Sequence, residues 1–180
     1  MLQSLLFDLN REDTLMQPRV PYELTEQERC SVKFTSGRVN LMAMILISLA
    51  NIAFFVFGQT YLVPFSASIP YYAVVYSYVG GYLPSSVGWA IALGYLGISV
   101  ICWVRAKEDW RWLLGGFVLF TLDCVAFSWI LSNGMAVSFW PDIVFHLWML
   151  YYLSTGVRYG RKLEKTPGSA LAKDIDEELL

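Results

Sequence analysis

Asp123, Asp142 and His146 lie inside long apolar stretches, and His146 is the only histidine of the chain. From Trp112 to Val157 these two aspartates are the only Asp, Glu, Lys or Arg residues. Asp142 and His146 are four residues apart, so a helix sets them on one face. A carboxylate and an imidazole in one enclosed space can share a proton, hold a cation or bond a polar ligand. An imidazole ordinarily changes charge between about pH 5 and 8, so direct binding by His146 would make a ligand response pH-dependent. Pro141 suits the first position of a helix, and Asp142 beside it complements the helix N-terminus near water.

Other chemistries have less support. Zinc sites take three or four His, Cys or carboxylate ligands. This chain has one His, and Cys30, Cys102 and Cys124 show no metal-ligand spacing. The three cysteines read as small buried or cytosolic thiols. There is no GxSxG nucleophile motif and no glycine-rich phosphate loop. No metal or cofactor is expected, and the reading leans away from an enzyme.

The elements that carry these residues must live in lipid. The chain has 180 residues, 56% of them hydrophobic and 16% charged, with mean hydropathy +0.47. Residues 39–104 contain no Asp, Glu, Lys or Arg. A helix in water needs a polar face, so uncharged runs of this length point to a bilayer. A net charge of −2 with no basic stripe outside the membrane flanks argues against nucleic acid. The expected fold is an all-α membrane protein: four transmembrane helices in a bundle, spanning about 39–61, 86–104, 112–131 and 140–157. A cytoplasmic N-terminal segment, 1–38, precedes a transmembrane domain over 39–160, and a cytoplasmic tail, 161–180, follows it. Leu2, Leu5, Leu6 and Leu9 could share one face of a short helix.

Basic residues set the orientation. Arg29, Lys33 and Arg38 precede the first span. Arg105, Lys107 and Arg111 lie between the second and third, and Arg158, Arg161, Lys162 and Lys165 follow the fourth. The connections 62–85 and 132–139 have no Lys or Arg. Both termini are therefore expected in the cytoplasm, the membrane being the bacterial inner one. The first outer connection is broken by Pro64, Pro70, Pro84, Gly80 and Gly81. A helix over about 70–79 is too short to cross and is expected to be interfacial or re-entrant. Tyr71, Tyr72, Tyr76, Tyr78 and Tyr82 suit that depth.

Asp123 is about 12 Å below the outer end of its span, at 1.5 Å per residue. An aspartate there costs at least about 2.5 kcal/mol on insertion scales, so it must face protein or trapped water. The third span runs outward and the fourth inward, so Asp123 and His146 reach one level. They are expected to pair, with Asp142 above them. Asn51, Gln59, Tyr151 and Tyr152 could line the same space, together with Tyr71, Tyr72 and Tyr76. Small residues at Gly88, Ala90, Ala92, Gly94 and Gly97, and at Gly156 and Gly160, permit close helix contacts.

The segments "GRVNL" (37–41), "FSASIPYY" (65–72) and "DIVFHLWMLYYLSTGV" (142–157), with "TLDC" (121–124), resemble a family of small four-span membrane proteins from clostridia-like bacteria. The resemblance implies topology and bacterial origin, and no activity. The acidic N-terminal extension lies outside that pattern. The functional expectation is an outward-facing polar cavity that binds or transports a small molecule, cation or proton. The alternative is a non-catalytic subunit or scaffold, either a homo-oligomer or bound to another membrane protein.

Overall fold

The structure, a computed structural model, describes residues 24–59, 63, 66–79, 83–133 and 140–165. Among these the protein has five helices and no strand: α1 (Glu26–Val56), α2 (Ser68–Tyr78), α3 (Ser85–Arg105), α4 (Trp110–Ser132) and α5 (Trp140–Lys165). Three of them, α1, α3 and α4, are long and apolar enough to cross a membrane. The N-terminal leucines, most of the connection after α1, the α4–α5 connection and residues 166–180 fall outside the described residues.

Local chemistry sets the helix ends. Thr25 and Glu28 form a reciprocal capping box that starts α1, with the Glu28 N–H donating to Thr25 Oγ1 at 3.3 Å and Thr25 N–H to Glu28 Oε2 at 2.8 Å. Gly58 ends α1 in the left-handed region, φ +71°. Its N–H reaches the Phe55 carbonyl at 3.0 Å, and the Gln59 N–H reaches the Phe54 carbonyl at 2.9 Å. This is the paired closure that glycine makes cheaply. The Asp109 side chain caps α4 by accepting from the Arg111 N–H at 2.8 Å.

The first helix therefore differs from the sequence reading. It was expected over 39–61 but runs from Glu26 to Val56. Part of the presumed N-terminal segment is helical because the Thr25 box nucleates it. The run to Tyr61 is cut because Gly58 turns the chain. The short helix α2 begins at Ser68, two residues earlier than expected, with Pro70 in its first turn. α5 extends past residue 157 to Lys165.

α1 packs most closely on α5, α5 on α4, and α4 on α3, which also touches α1; α2 lies chiefly on α3 and reaches α1 and α4. Leu41, Met44, Leu113, Phe120, Met149 and Leu153 fill the centre. Ser48, Asn51, Ser99, Asp123 and His146 are buried among them, while Leu122, Val125, Trp129 and Leu147 face outward. Polar groups inside and large apolar ones outside suit a hydrocarbon surround. The exposed hydroxyls of Thr121 and Ser128 donate to the carbonyls of Phe117 and Cys124, each at 2.8 Å. They therefore present no unmet donor to lipid.

Glycines mark the closest approaches. A Cβ on Gly37 would lie 3.0 Å from Gly156 Cα, and one on Gly88 would lie 2.5 Å from the Ala73 carbonyl oxygen. α1 meets α5, and α3 meets α2, through missing side chains.

Candidate functional site

Asp123, on α4, has no exposed surface, and His146, on α5, is 4% exposed. His146 Nε2 and Asp123 Oδ2 are 3.1 Å apart. The sequence expectation that these two meet is therefore what the fold shows. What the spacing did not reveal is a third partner. Asp123 Oδ2 also accepts from the Ser68 N–H at 3.0 Å, and Oδ1 accepts from the Ile69 N–H at 2.6 Å. These are the first two helical residues of α2.

The start of a helix leaves four N–H groups without an intrahelical acceptor. Ala67, at the cap position of α2, has no side chain that can accept. Its N–H donates instead to Ser48 Oγ on α1, at 2.9 Å. Ser48 Oγ in turn donates to the Met44 carbonyl at 2.8 Å. Ser68 and Ile69 take Asp123, and Pro70 has no N–H to satisfy. The N-terminus of α2 is thus fully accounted for by two other helices. Its partial positive charge is set against the Asp123 carboxylate.

The imidazole is held as tightly. His146 Nδ1 is 2.7 Å from the Asp142 carbonyl one turn earlier. The ring lies flat against Phe127, centroids 4.3 Å apart at 3°, with Phe120 at 5.3 Å also stacked on it. A carbonyl oxygen only accepts, so Nδ1 carries a hydrogen. The Nε2–Oδ2 contact then holds one proton. Either the imidazole carries it, giving an imidazolium–carboxylate pair, or the carboxyl does, giving neutral partners. Both arrangements have zero net charge, which is the form a low-dielectric interior tolerates best. The Ser68 hydroxyl approaches Nε2 at 3.4 Å.

No protein-family model matches the chain, and no curated protein or solved structure matches it. What the site can do therefore rests on its own geometry.

The remaining candidate residues divide. Asp142 is in the first turn of α5, as the sequence suggested, and is buried; its backbone carbonyl orients His146. Asn51 is buried on α1 and grips one residue of the following connection. Its Nδ2 donates to the Val63 carbonyl at 2.7 Å, and its Oδ1 accepts from the Val63 N–H at 2.9 Å. Tyr71, Tyr72 and Tyr76 form an aromatic row on α2, with centroids 5.3 Å and 5.6 Å apart, and Tyr71 meets Phe55 of α1 edge-on at 6.2 Å. Part-burial holds the Tyr71 phenol above its ordinary range, so it is a neutral hydroxyl at physiological pH. Tyr151 is 60% exposed and points away from the pair; it touches Tyr152 edge-on. Gln59 lies beyond the turn that ends α1.

Sequence reasoning missed Ser48, Ser68, Phe120 and Phe127 as parts of this centre. It also missed Tyr95 of α3, whose hydroxyl is buried without a hydrogen-bond partner among the described residues. One signal was available: "ASIP" starts a helix with proline in its first turn and no capping side chain, so its free N–H groups needed an acceptor from elsewhere. No cluster of three or more His, Cys, Asp or Glu residues among the described residues could hold a metal ion.

Proposed function

We propose that the chain is a multi-pass helical membrane protein that binds or moves a proton, a cation or a small cationic molecule at the Asp123–His146 centre. In this reading α5 is a fourth crossing helix of a bundle. α2 stays at the outer face as an interfacial or re-entrant piece, and both termini lie in the cytoplasm of a bacterial cell. The basic residues near the ends of α3, α4 and α5 support that orientation.

One observation carries the proposal. The carboxylate that meets His146 is also the acceptor that seats α2. A proton or cation arriving at Asp123 competes for the same lone pairs and so loosens α2. In this reading the bonded arrangement is a closed form, with the polar centre sealed from the outer surface. Broken helices whose N-termini face a buried charged group are a recurring device in transport proteins. Tyr71, Tyr72 and Tyr76 lie on the element that would move, and their rings can stabilise a passing cation. The unpartnered Tyr95 hydroxyl offers a further ligand oxygen.

The test is thermal stability of purified protein against monovalent cations, amines and pH, with wild type and Asp123→Asn side by side. The expected result is a response in wild type that is absent in the variant, with membrane insertion unchanged. Identical responses in both proteins would count against the site.

A second reading, a non-catalytic subunit or scaffold, has its own support. Ala90, Gly94 and Gly97 form an exposed small-residue strip on α3, and a Cβ on Gly94 or Gly97 would meet nothing within 4 Å. Such a face permits close contact with another membrane helix. Co-purification of a stable companion in mild detergent would favour this reading.

A further inference from the structure

A second feature lies at the other end of the helices, remote from Asp123. A groove of about 340 Å³ runs between the first half of α4 and the last half of α5. Trp110, Leu114 and Phe117 form one wall, three and four residues apart on α4. Val157, Arg158 and Arg161 form the other. The lining is chiefly apolar, and Arg158 and Arg161 come last along α5, at the end nearest its C-terminus. Both arginines are exposed, and neither pairs with a carboxylate among the described residues. The nearby acid, Glu164, is taken by the Trp110 indole, which donates to its Oε2 at 2.8 Å. That bond also fixes the tryptophan at the mouth, the depth such rings favour at a membrane interface.

We infer that this groove binds an anionic phospholipid of the cytoplasmic leaflet, with its phosphate between Arg158 and Arg161 and the upper part of one acyl chain along Leu114, Phe117 and Val157. The inference rests on the membrane reading above. The charge argument is direct, because guanidinium groups match phosphate oxygens in a two-pronged geometry that ammonium groups do not. The hydrophobic argument is continuity. Val118 on α4, and Tyr151 and Leu147 on α5, carry the apolar track out of the groove along outward-facing surface. A soluble phosphate would fill only the arginine end. A lipid fills both ends, and basic grooves between membrane helices on the cytoplasmic side are where such headgroups settle.

The experiment uses the full chain. It is first floated with phosphatidylcholine liposomes, then purified in a neutral detergent and titrated with phosphatidylglycerol or phosphatidylcholine of identical acyl chains, with bound lipid counted by native mass spectrometry. Wild type is expected to prefer phosphatidylglycerol by about tenfold. R158Q/R161Q is expected to lose that preference while keeping its phosphatidylcholine binding and its melting temperature. Inorganic phosphate at equal concentration should not displace the lipid. Equal affinity for the two lipids in wild type, or an undiminished preference in the double variant, overturns the lipid site and leaves the membrane reading intact. A chain that fails to float overturns both.

Discussion

Asp123 and His146 are 23 positions apart in the chain and 3.1 Å apart in space, and the same carboxylate caps a helix to which neither belongs. That one side chain ties α4 to α5 and both to α2. A buried pair of this kind contributes little net stability compared with well-packed apolar residues, because both partners lose their water. Its effect is specificity, since α2 can seat only where an acceptor waits for its first N–H groups.

Removing half of the pair should be costly. Asp123→Ala leaves two backbone N–H groups buried without an acceptor and His146 Nε2 without its partner, and a loss of about 3–5 kcal/mol is expected. His146→Phe, which keeps an aromatic ring between Phe120 and Phe127, should cost less. Unfolding in detergent of both single variants and the double variant measures the coupling, expected at about 1–3 kcal/mol. Strict additivity would mean the 3.1 Å contact has no energetic content.

Glycines on one helix should behave oppositely. Gly88→Ala drives a methyl to 2.5 Å from the Ala73 carbonyl oxygen, and backbone cannot turn aside as a flexible side chain would. Separation of α2 from α3 should lower stability by about 1–3 kcal/mol. Gly97→Ala enters open space and should be neutral or slightly stabilising in the isolated chain, by up to about 1 kcal/mol from helix propensity. Melting temperatures in detergent decide this. Loss of a companion protein on Gly97→Leu, with an unchanged melt, would favour the scaffold reading.

Asn51→Ala should act locally. It removes both bonds to Val63 and frees the connection between α1 and α2. Faster limited proteolysis between residues 57 and 67 is expected, with α3, α4 and α5 unaffected. The stability cost should be about 1–3 kcal/mol, the usual penalty for buried polar groups left unmet.

The proposed crossing of α5 can be tested by labelling. The Trp110–Glu164 bond places the start of α4 and the end of α5 together. In a cysteine-free background, Lys107→Cys and Glu164→Cys should react only from the cytoplasm with an impermeant thiol reagent. Val79→Cys, exposed just past α2, should react from outside. Labelling of positions 107 and 164 from opposite sides would contradict the arrangement.

Much of the fold is legible in the sequence because lipid imposes simple rules. Charged residues mark the end of α3 and the start of α4, and the ends of both helices fall within two residues of the expected spans, 86–104 and 112–131. The end of α1 was not legible, since the uncharged run continues well past Gly58 and only backbone geometry shows that it turns the chain. The depth of Asp123 and His146 could be computed from helix rise, so their meeting could be anticipated. The third partner could not, because hydropathy is silent about where backbone N–H groups find acceptors. For the same reason Asn51 looked like a cavity residue: nothing in its spacing names Val63.

The central claim is that Asp123 holds the first turn of α2. Hydrogen exchange at the Ser68 and Ile69 amides, in protein reconstituted in lipid nanodiscs, tests it most directly. Both amides should be strongly protected in wild type and should exchange about a hundredfold faster in Asp123→Ala, as a loss of about 3 kcal/mol of local stability requires. Amides that exchange freely in wild type, or at the same slow rate in the variant, would contradict the account.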